Sequence, residues 1–200
     1  LPSAPPELSR QRFVQGPAPR RLAEVESSNW LVKKERGELD EGAVAGLDEL
    51  YLAETAYADA AVGELRAALE AARLLDDTLL IATSDHGECI GHHGFFDHQF
   101  NLYEDLMRVP LVMRHAALAP GAVCTDLVQL SDLLPTVLSF LGKDDVRARL
   151  RLPGAPLLDA KGPARIPARP LFFMFRRGSR VLAKWKDSIA PETSARLDRD

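Results

Sequence analysis

The stretch Thr78-Leu79-Leu80-Ile81-Ala82-Thr83 constrains this chain more than any other. It is short, uncharged and partly β-branched, and it ends abruptly in the polar block Ser84-Asp85-His86-Gly87-Glu88. A half-buried strand alternates polar and apolar residues. A run without alternation is the pattern of a strand covered on both faces, as in a parallel sheet flanked by helices. The segment leading into it points the same way. Leu47, Leu50, Tyr51, Thr55, Ala58, Val62, Leu65 and Leu69 recur mainly at steps of three and four, which draws one apolar stripe along a helix. Alanines fill the remaining turns and favour helix. The stop is expected near Leu74-Leu75, where Asp76-Asp77 gives a turn. A helix feeding a covered strand implies an α/β layer architecture.

The other elements are read by the same rules. Val109-Pro110-Leu111-Val112-Met113 predicts a second strand, with its proline at the start or on an edge. Leu127 to Leu141 predicts a helix with Pro135 near a first turn and Gly142 as the stop. Leu22 to Arg36 predicts a short polar helix, and the Pro- and Arg-rich first twenty residues an irregular segment. Residues 143–170 read as a long loop. Leu171–Phe175 and Arg180–Trp185, joined by Arg176–Ser179, read as a C-terminal β-hairpin. The expected division is therefore residues 1–142, the main α/β body, and 143–200, a loop and hairpin subdomain.

Composition closes off some functions. The net charge of −4 and the lack of a basic stripe argue against general nucleic-acid binding. No apolar run is long enough to cross a bilayer. The opening Leu1-Pro2-Ser3-Ala4-Pro5-Pro6 has neither the charged start nor the apolar core of a secretory leader. Cys89 and Cys124 fit no zinc spacing and build no disulfide framework, so they are expected as free thiols or one incidental bridge.

Chemistry concentrates in one place. Four of the five histidines, His86, His92, His93 and His98, fall within residues 84–98, directly after the apolar strand. Ligands of open α/β sheets bind beyond the carboxyl ends of strands. Asp85 and His86 are both metal-ligand types and are adjacent there, with Gly87 to allow a turn at positive φ. The alternative is a polar loop that merely caps the strand. Two ligands make half a site at most, and no second cluster is evident in the sequence.

Several segments then resemble, in order, the sulfatase family of the alkaline-phosphatase-like superfamily. Tyr51–Gly63 resembles a family helix ending in Asp-x-x-Val/Ile-Gly, and Asp76–Ile81 the approach to the metal-bearing strand. Ser84-Asp85-His86-Gly87-Glu88 and Gly91-His92-His93-Gly94 resemble the family's S-D-[HN]-G-E…G-x-H-G loop. Leu102-Tyr103-Glu104 and Arg108-Val109-Pro110-Leu111 resemble L-Y-E-x-x-x-R-V-P-L, and Ser131–Thr136 resembles a D-L-x-P-T helix start. Leu197–Asp200 sits where the family has a further Asp-containing stretch. Pro5-Pro6-Glu7 with Phe13 resembles the sequence just after a P-H-x-P motif, so the family's N-terminal half is expected to lie outside these residues. The C/S-x-P-x-R motif, whose first residue becomes formylglycine, has no match.

The resemblance implies a sulfatase-like sheet flanked by helices, present as a partial domain, and a sulfuric ester hydrolase inactive without the missing half. It implies Asp85 and His86 as metal ligands. The metal would be calcium, or manganese or zinc given the imidazole at His86. It implies His98, where the family usually carries Lys, as the residue that donates to an anionic ester oxygen. His93 reads as loop-shaping. A metal-bound, hydrated formylglycine supplied by the other half would attack sulfur. The expected partner is a small sulfate-ester or phosphoester substrate. Sulfuryl and phosphoryl transfer both need positive charge around three equatorial oxygens. A phosphonate monoester or phosphodiester hydrolase is therefore the first alternative, and a noncatalytic fragment the second.

Overall fold

A computed structural model describes residues 7–14, 30–98, 101–159, 162–164, 166, 169 and 171. They form a partial α/β domain of helices and small sheets divided between two compact units. One takes the described residues of Leu1–Ala71 and His86–Pro110, the other those of Ala72–Asp85 and Leu111–Met174.

The first unit is organised by a 31-residue helix, Glu41–Ala71. Its start is set by Asp40, whose Oδ1 accepts the Ala43 amide at 2.7 Å and satisfies a donor that the helix itself leaves open. The apolar stripe is buried over its first half only, at Leu47, Leu50 and Ala53. Phe13 and Val14, at the end of a short helix α1 (Glu7–Phe13), cover Leu50 and Ala53. Leu47 packs in a cluster with Trp30, Cys89, Phe95, Phe96 and Leu106. Leu50 and Phe96 are almost wholly buried, and each such side chain contributes about 1.5–3 kcal/mol of transfer free energy. Beyond Ala53 the stripe is open: Val62 and Leu65 are exposed.

Two expectations change here. Glu7–Phe13 is helical rather than irregular, because Pro2, Pro5 and Pro6 all precede it and none interrupts it. The predicted helix at Leu22–Arg36 is seen as α2, Trp30–Glu35; residues 15–29 lie outside the described set. The long helix itself is α3.

Cys89–Ile90 (β2) and Phe96–Asp97 (β3) pair antiparallel, Cys89 opposite Asp97 and Ile90 opposite Phe96. A 3-10 turn, His92–Gly94, closes this hairpin. Gly91, His93 and Gly94 have φ of 86°, 54° and 76°, so the left-handed turn rests on two glycines and one histidine.

In the second unit, β1 (Leu80–Thr83) pairs antiparallel with β4 (Leu111–Arg114), Leu80 opposite Arg114 and Thr83 opposite Leu111. The apolar run thus makes a strand, as read. However, it is half-buried, and its partner among the described residues is antiparallel. An unbroken apolar run reports the wish for cover on both faces. It does not report the direction of the neighbouring strand, which the connection between them decides. A two-stranded ribbon also lacks the area to cover both faces. Arg114 anchors its end, bonded to the Leu75 carbonyl and paired with Asp76.

The helix at Leu133–Phe140 (α5) follows a 3-10 turn at Leu130–Asp132. Pro135 lies in its first turn, where the missing amide costs nothing. Gly142 ends it at φ 66°, while the Lys143 amide reaches back to the Leu138 carbonyl. The segment read as a long loop carries a helix at Asp144–Leu150, with Asp144 and Asp145 at its positive end and Arg147 and Arg149 at its negative end. That charge order was the overlooked signal. A two-residue ladder, Leu158–Asp159 with Gly162–Pro163, follows. The hairpin predicted at Leu171–Trp185 lies outside the described residues except for Leu171.

Candidate functional site

The polar block after β1 separates at the boundary between the units. Asp85 is exposed and closes the β1 segment of the second unit, while His86 opens the loop of the first. Within the first unit the structure brings His86 and His98 together. Their rings stack at 4.3 Å between centroids, 25° from parallel.

Each of these imidazoles is oriented through Nδ1. The Nδ1 of His86 lies 2.8 Å from the Gly87 carbonyl. A carbonyl only accepts, so in this contact Nδ1 carries the proton. The Nδ1 of His98 lies 3.3 Å from Oε2 of Glu88. That carboxylate holds the His98 ring in place, a role no reading of the sequence had given it. Its side chain is 9% exposed, whereas that of His98 is 39% exposed.

Gly87 has a different function from the one its residue type suggests. It is absent from the positive-φ glycines. Its amide donates to the Leu106 carbonyl at 2.9 Å, and a Cβ there would overlap the carbonyl oxygen of Asp105. The loop needs glycine for close backbone approach, and the helical turn at Glu104–Met107 supplies the opposing surface. This turn is α4.

His92 and His93 are tied within the loop segment of the first unit. His93 stacks on Tyr103 at 4.0 Å between centroids, which supports its reading as structural. The Nδ1 of His92 lies 3.1 Å from Oδ1 of Asp105. His115 belongs to the second unit, edge-on to Phe140. Both cysteines are free thiols, Cys89 buried and Cys124 exposed. Burial pushes the Cys89 thiol up, aided by the nearby charges of Asp105 and Glu88.

Asp97 has no counterpart among the residues singled out from sequence. It is 8% exposed, adopts φ 64°, and its carboxyl is pushed up to about 6, first by burial and then by the charge of Glu88. Among the described residues no three His, Cys, Asp or Glu side chains converge as a metal cage. Asp85 and His86 are of the donor types that hold divalent cations, and further ligands would be needed to complete a site.

Residues 4–143 match the sulfatase family. Choline-sulfatase of Rhizobium meliloti (strain 1021) is 39% identical over 92 residues, 46% of this chain and 18% of that protein. N-acetylglucosamine-6-O-sulfatase of Bacteroides thetaiotaomicron is 38% identical over 93 residues, 46% of this chain and 16% of that protein. The solved phosphonate monoester hydrolase of Silicibacter pomeroyi superposes with a TM-score of 0.51 at 26% identity, covering 70% of this chain and 28% of that one. The chain therefore spans less than a fifth of the length of the two curated relatives. With its ordered motifs, its loop of paired histidines and a family match across most of its length, this chain belongs to the sulfatase family of hydrolases.

Proposed function

We propose that these residues form the metal-ligand and anion-contacting part of a metal-dependent sulfuric ester hydrolase, and that on their own they do not turn over substrate. The observation that carries this reading is the His86–His98 stack: one imidazole turned by its Nδ1 contact with a backbone carbonyl beside another oriented by a carboxylate. Asp85 and His86 would hold a divalent cation, manganese or zinc in keeping with the imidazole, or calcium. Such an ion, when bound, neutralises charge on the ester oxygens.

The chain's own residues supply the rest. Glu88 accepts from Nδ1 of His98 and fixes the ring. A second proton on Nε2 then makes His98 a donor toward an anionic ester oxygen. The substrate would be a small sulfate ester, the class named by the two curated relatives. No C/S-x-P-x-R motif occurs in the 200 residues, so the formylglycine nucleophile would have to come from outside them.

The second reading, a phosphonate monoester hydrolase, is favoured by the similarity to the Silicibacter pomeroyi enzyme. One experiment separates the readings. The 200-residue protein, and the same protein joined to a segment carrying the C-x-P-x-R motif, are assayed with 4-nitrophenyl sulfate and 4-nitrophenyl phenylphosphonate. Expected are no turnover by the first and sulfate-preferring turnover by the second, abolished by Asp85→Ala or His86→Ala. Preference for the phosphonate selects the second reading. Turnover by the 200 residues alone, or full activity without Asp85, overturns both.

A further inference from the structure

We propose that the open half of α3 is a self-association surface: two copies of this chain pair antiparallel along it, with Asp59 of each copy facing Arg66 of the other. From Tyr57 to Ala71 every residue of the helix is exposed except Leu69, which is partly buried. Val62 and Leu65 leave 40% and 52% of their surface in solvent. A helical stretch of this length is marginal in water unless one face is packed, and none of the described elements covers it.

The spacing tells what kind of surface fits. Thr55, Ala58, Val62, Leu65 and Leu69 follow at steps of three, four, three and four, the seven-residue repeat with which one helix meets another. The Thr55 hydroxyl is already used within the helix, donating to the Tyr51 carbonyl at 2.9 Å. The seam is narrow. One flank carries Asp59 and Arg66, the other Ala61 and Ala68. Charges on a flank limit the apolar contact to the width of a second helix, and alanines let two helix axes come close.

The charges select the partner and its direction. Asp59 and Arg66 have opposite signs and lie on one flank, one repeat apart. Two antiparallel copies related by a two-fold axis set Asp59 against Arg66 of the second copy and Arg66 against its Asp59, so the helix is its own complement. In the same register Val62 meets Leu65 of the second copy, Ala58 meets its Leu69, small against large, and Ala61 meets its Ala68. A parallel pair would instead bring Glu54 against Asp59, like charges across the seam. The present contact of Arg66, with Glu70 at 3.6 Å, is exposed on both sides and holds it only weakly. A contact of this size makes a weak, reversible dimer.

This proposal goes beyond the hydrolase reading and does not require it, because association is measured directly. The 200-residue protein is followed by sedimentation equilibrium over about a hundredfold range of concentration. Expected is a reversible monomer–dimer equilibrium that added salt weakens. Asp59→Arg and Arg66→Asp, both on exposed surface, should each weaken the dimer at least tenfold while the helical circular dichroism stays unchanged. An equimolar mixture of these two variants should dimerise at least as strongly as the parent, because each carries the charges that the other lacks. Leu65→Asp should abolish pairing. Glu64→Arg makes the same change of charge as Asp59→Arg but lies off the seam, and should leave the dimer as it is. A parent that stays monomeric throughout would leave the face to a different partner and overturns the proposal. So does an Asp59→Arg protein that dimerises like the parent, a mixture that shows no recovery, or a dimer that survives Leu65→Asp.

Discussion

The imidazoles of His86 and His98, twelve positions apart in the chain, lie face to face with centroids 4.3 Å apart. Both are steered through Nδ1, one by a backbone carbonyl and the other by a buried carboxylate. Stacking keeps the His98 ring at a set distance from a proposed metal ligand without making it a ligand itself.

That arrangement separates two variants. In a sulfatase containing this region, His98→Ala is expected to lower kcat about a hundredfold, the usual size of a lost hydrogen-bond donor to developing charge. Bound metal should stay at the parent stoichiometry by elemental analysis. Asp85→Ala should lose both. If His98→Ala also empties the protein of metal, His98 is a ligand and the assignment of roles is wrong.

Gly87 is expected to tolerate no side chain. A Cβ would meet the backbone carbonyl of Asp105, and the Gly87 amide is tied to Leu106, so neither strand of the contact can retreat cheaply. Gly87→Ala should destabilise by about 3 kcal/mol, lowering Tm by about 10 °C. Thermal unfolding followed by circular dichroism checks this. Coincident melting curves for parent and variant would show that the loop relaxes freely.

How the site could be read from sequence follows from what each signal encodes. Asp85, His86 and His98 stand out in the sequence because residue type and clustering are written locally, directly after a strand, whereas the stacking of His86 on His98 is not. Glu88 and Asp97 do not. What singles them out is burial, which depends on the β2–β3 pairing, and two-residue strands do not advertise that pairing. Periodicity gave the helix at Glu41–Ala71, yet it could not say that cover ends at Ala53. The apolar run gave β1 but left open which way its neighbour runs. Short helices at Glu7–Phe13 and Asp144–Leu150 carried too few residues to show a period, and only the charges at the ends of the second marked it.

Asp97 makes stability depend on pH in an unusual direction. The unfolded carboxyl ionises near its ordinary value of 3.8, the folded one at about 6. Between these values the folded state holds the proton more tightly, so stability is full below about pH 4 and falls as pH rises through 6. Asp97→Asn should remove this loss and be more stable than the parent at pH 7 by about 2 kcal/mol, allowing for solvent screening. Urea unfolding at pH 4, 5, 6 and 7 measures it. Parallel pH profiles for parent and variant would exclude the effect.

Asp132 is expected to be the least replaceable residue of the second unit. It is completely buried. Its Oδ1 accepts the Ala155 amide at 2.9 Å, and its Oδ2 accepts the Gln129 amide at 2.9 Å and the Arg169 guanidinium. One turn later, Thr136 donates to the Asp132 carbonyl at 2.6 Å and accepts the Leu157 amide at 2.9 Å. The two side chains therefore clamp the same segment, residues 155–157, to the start of α5. Asp132→Ala strands a buried guanidinium and two amides, for an expected loss of about 3–5 kcal/mol. Thr136→Val removes neutral bonds and should lose about 1–2 kcal/mol. Because releasing the segment at Ala155 also frees Leu157, the double variant should lose less than the sum of the two. Strict additivity in urea unfolding of the four proteins would mean that the segment is held at each point separately, and the clamp would then be two unrelated contacts.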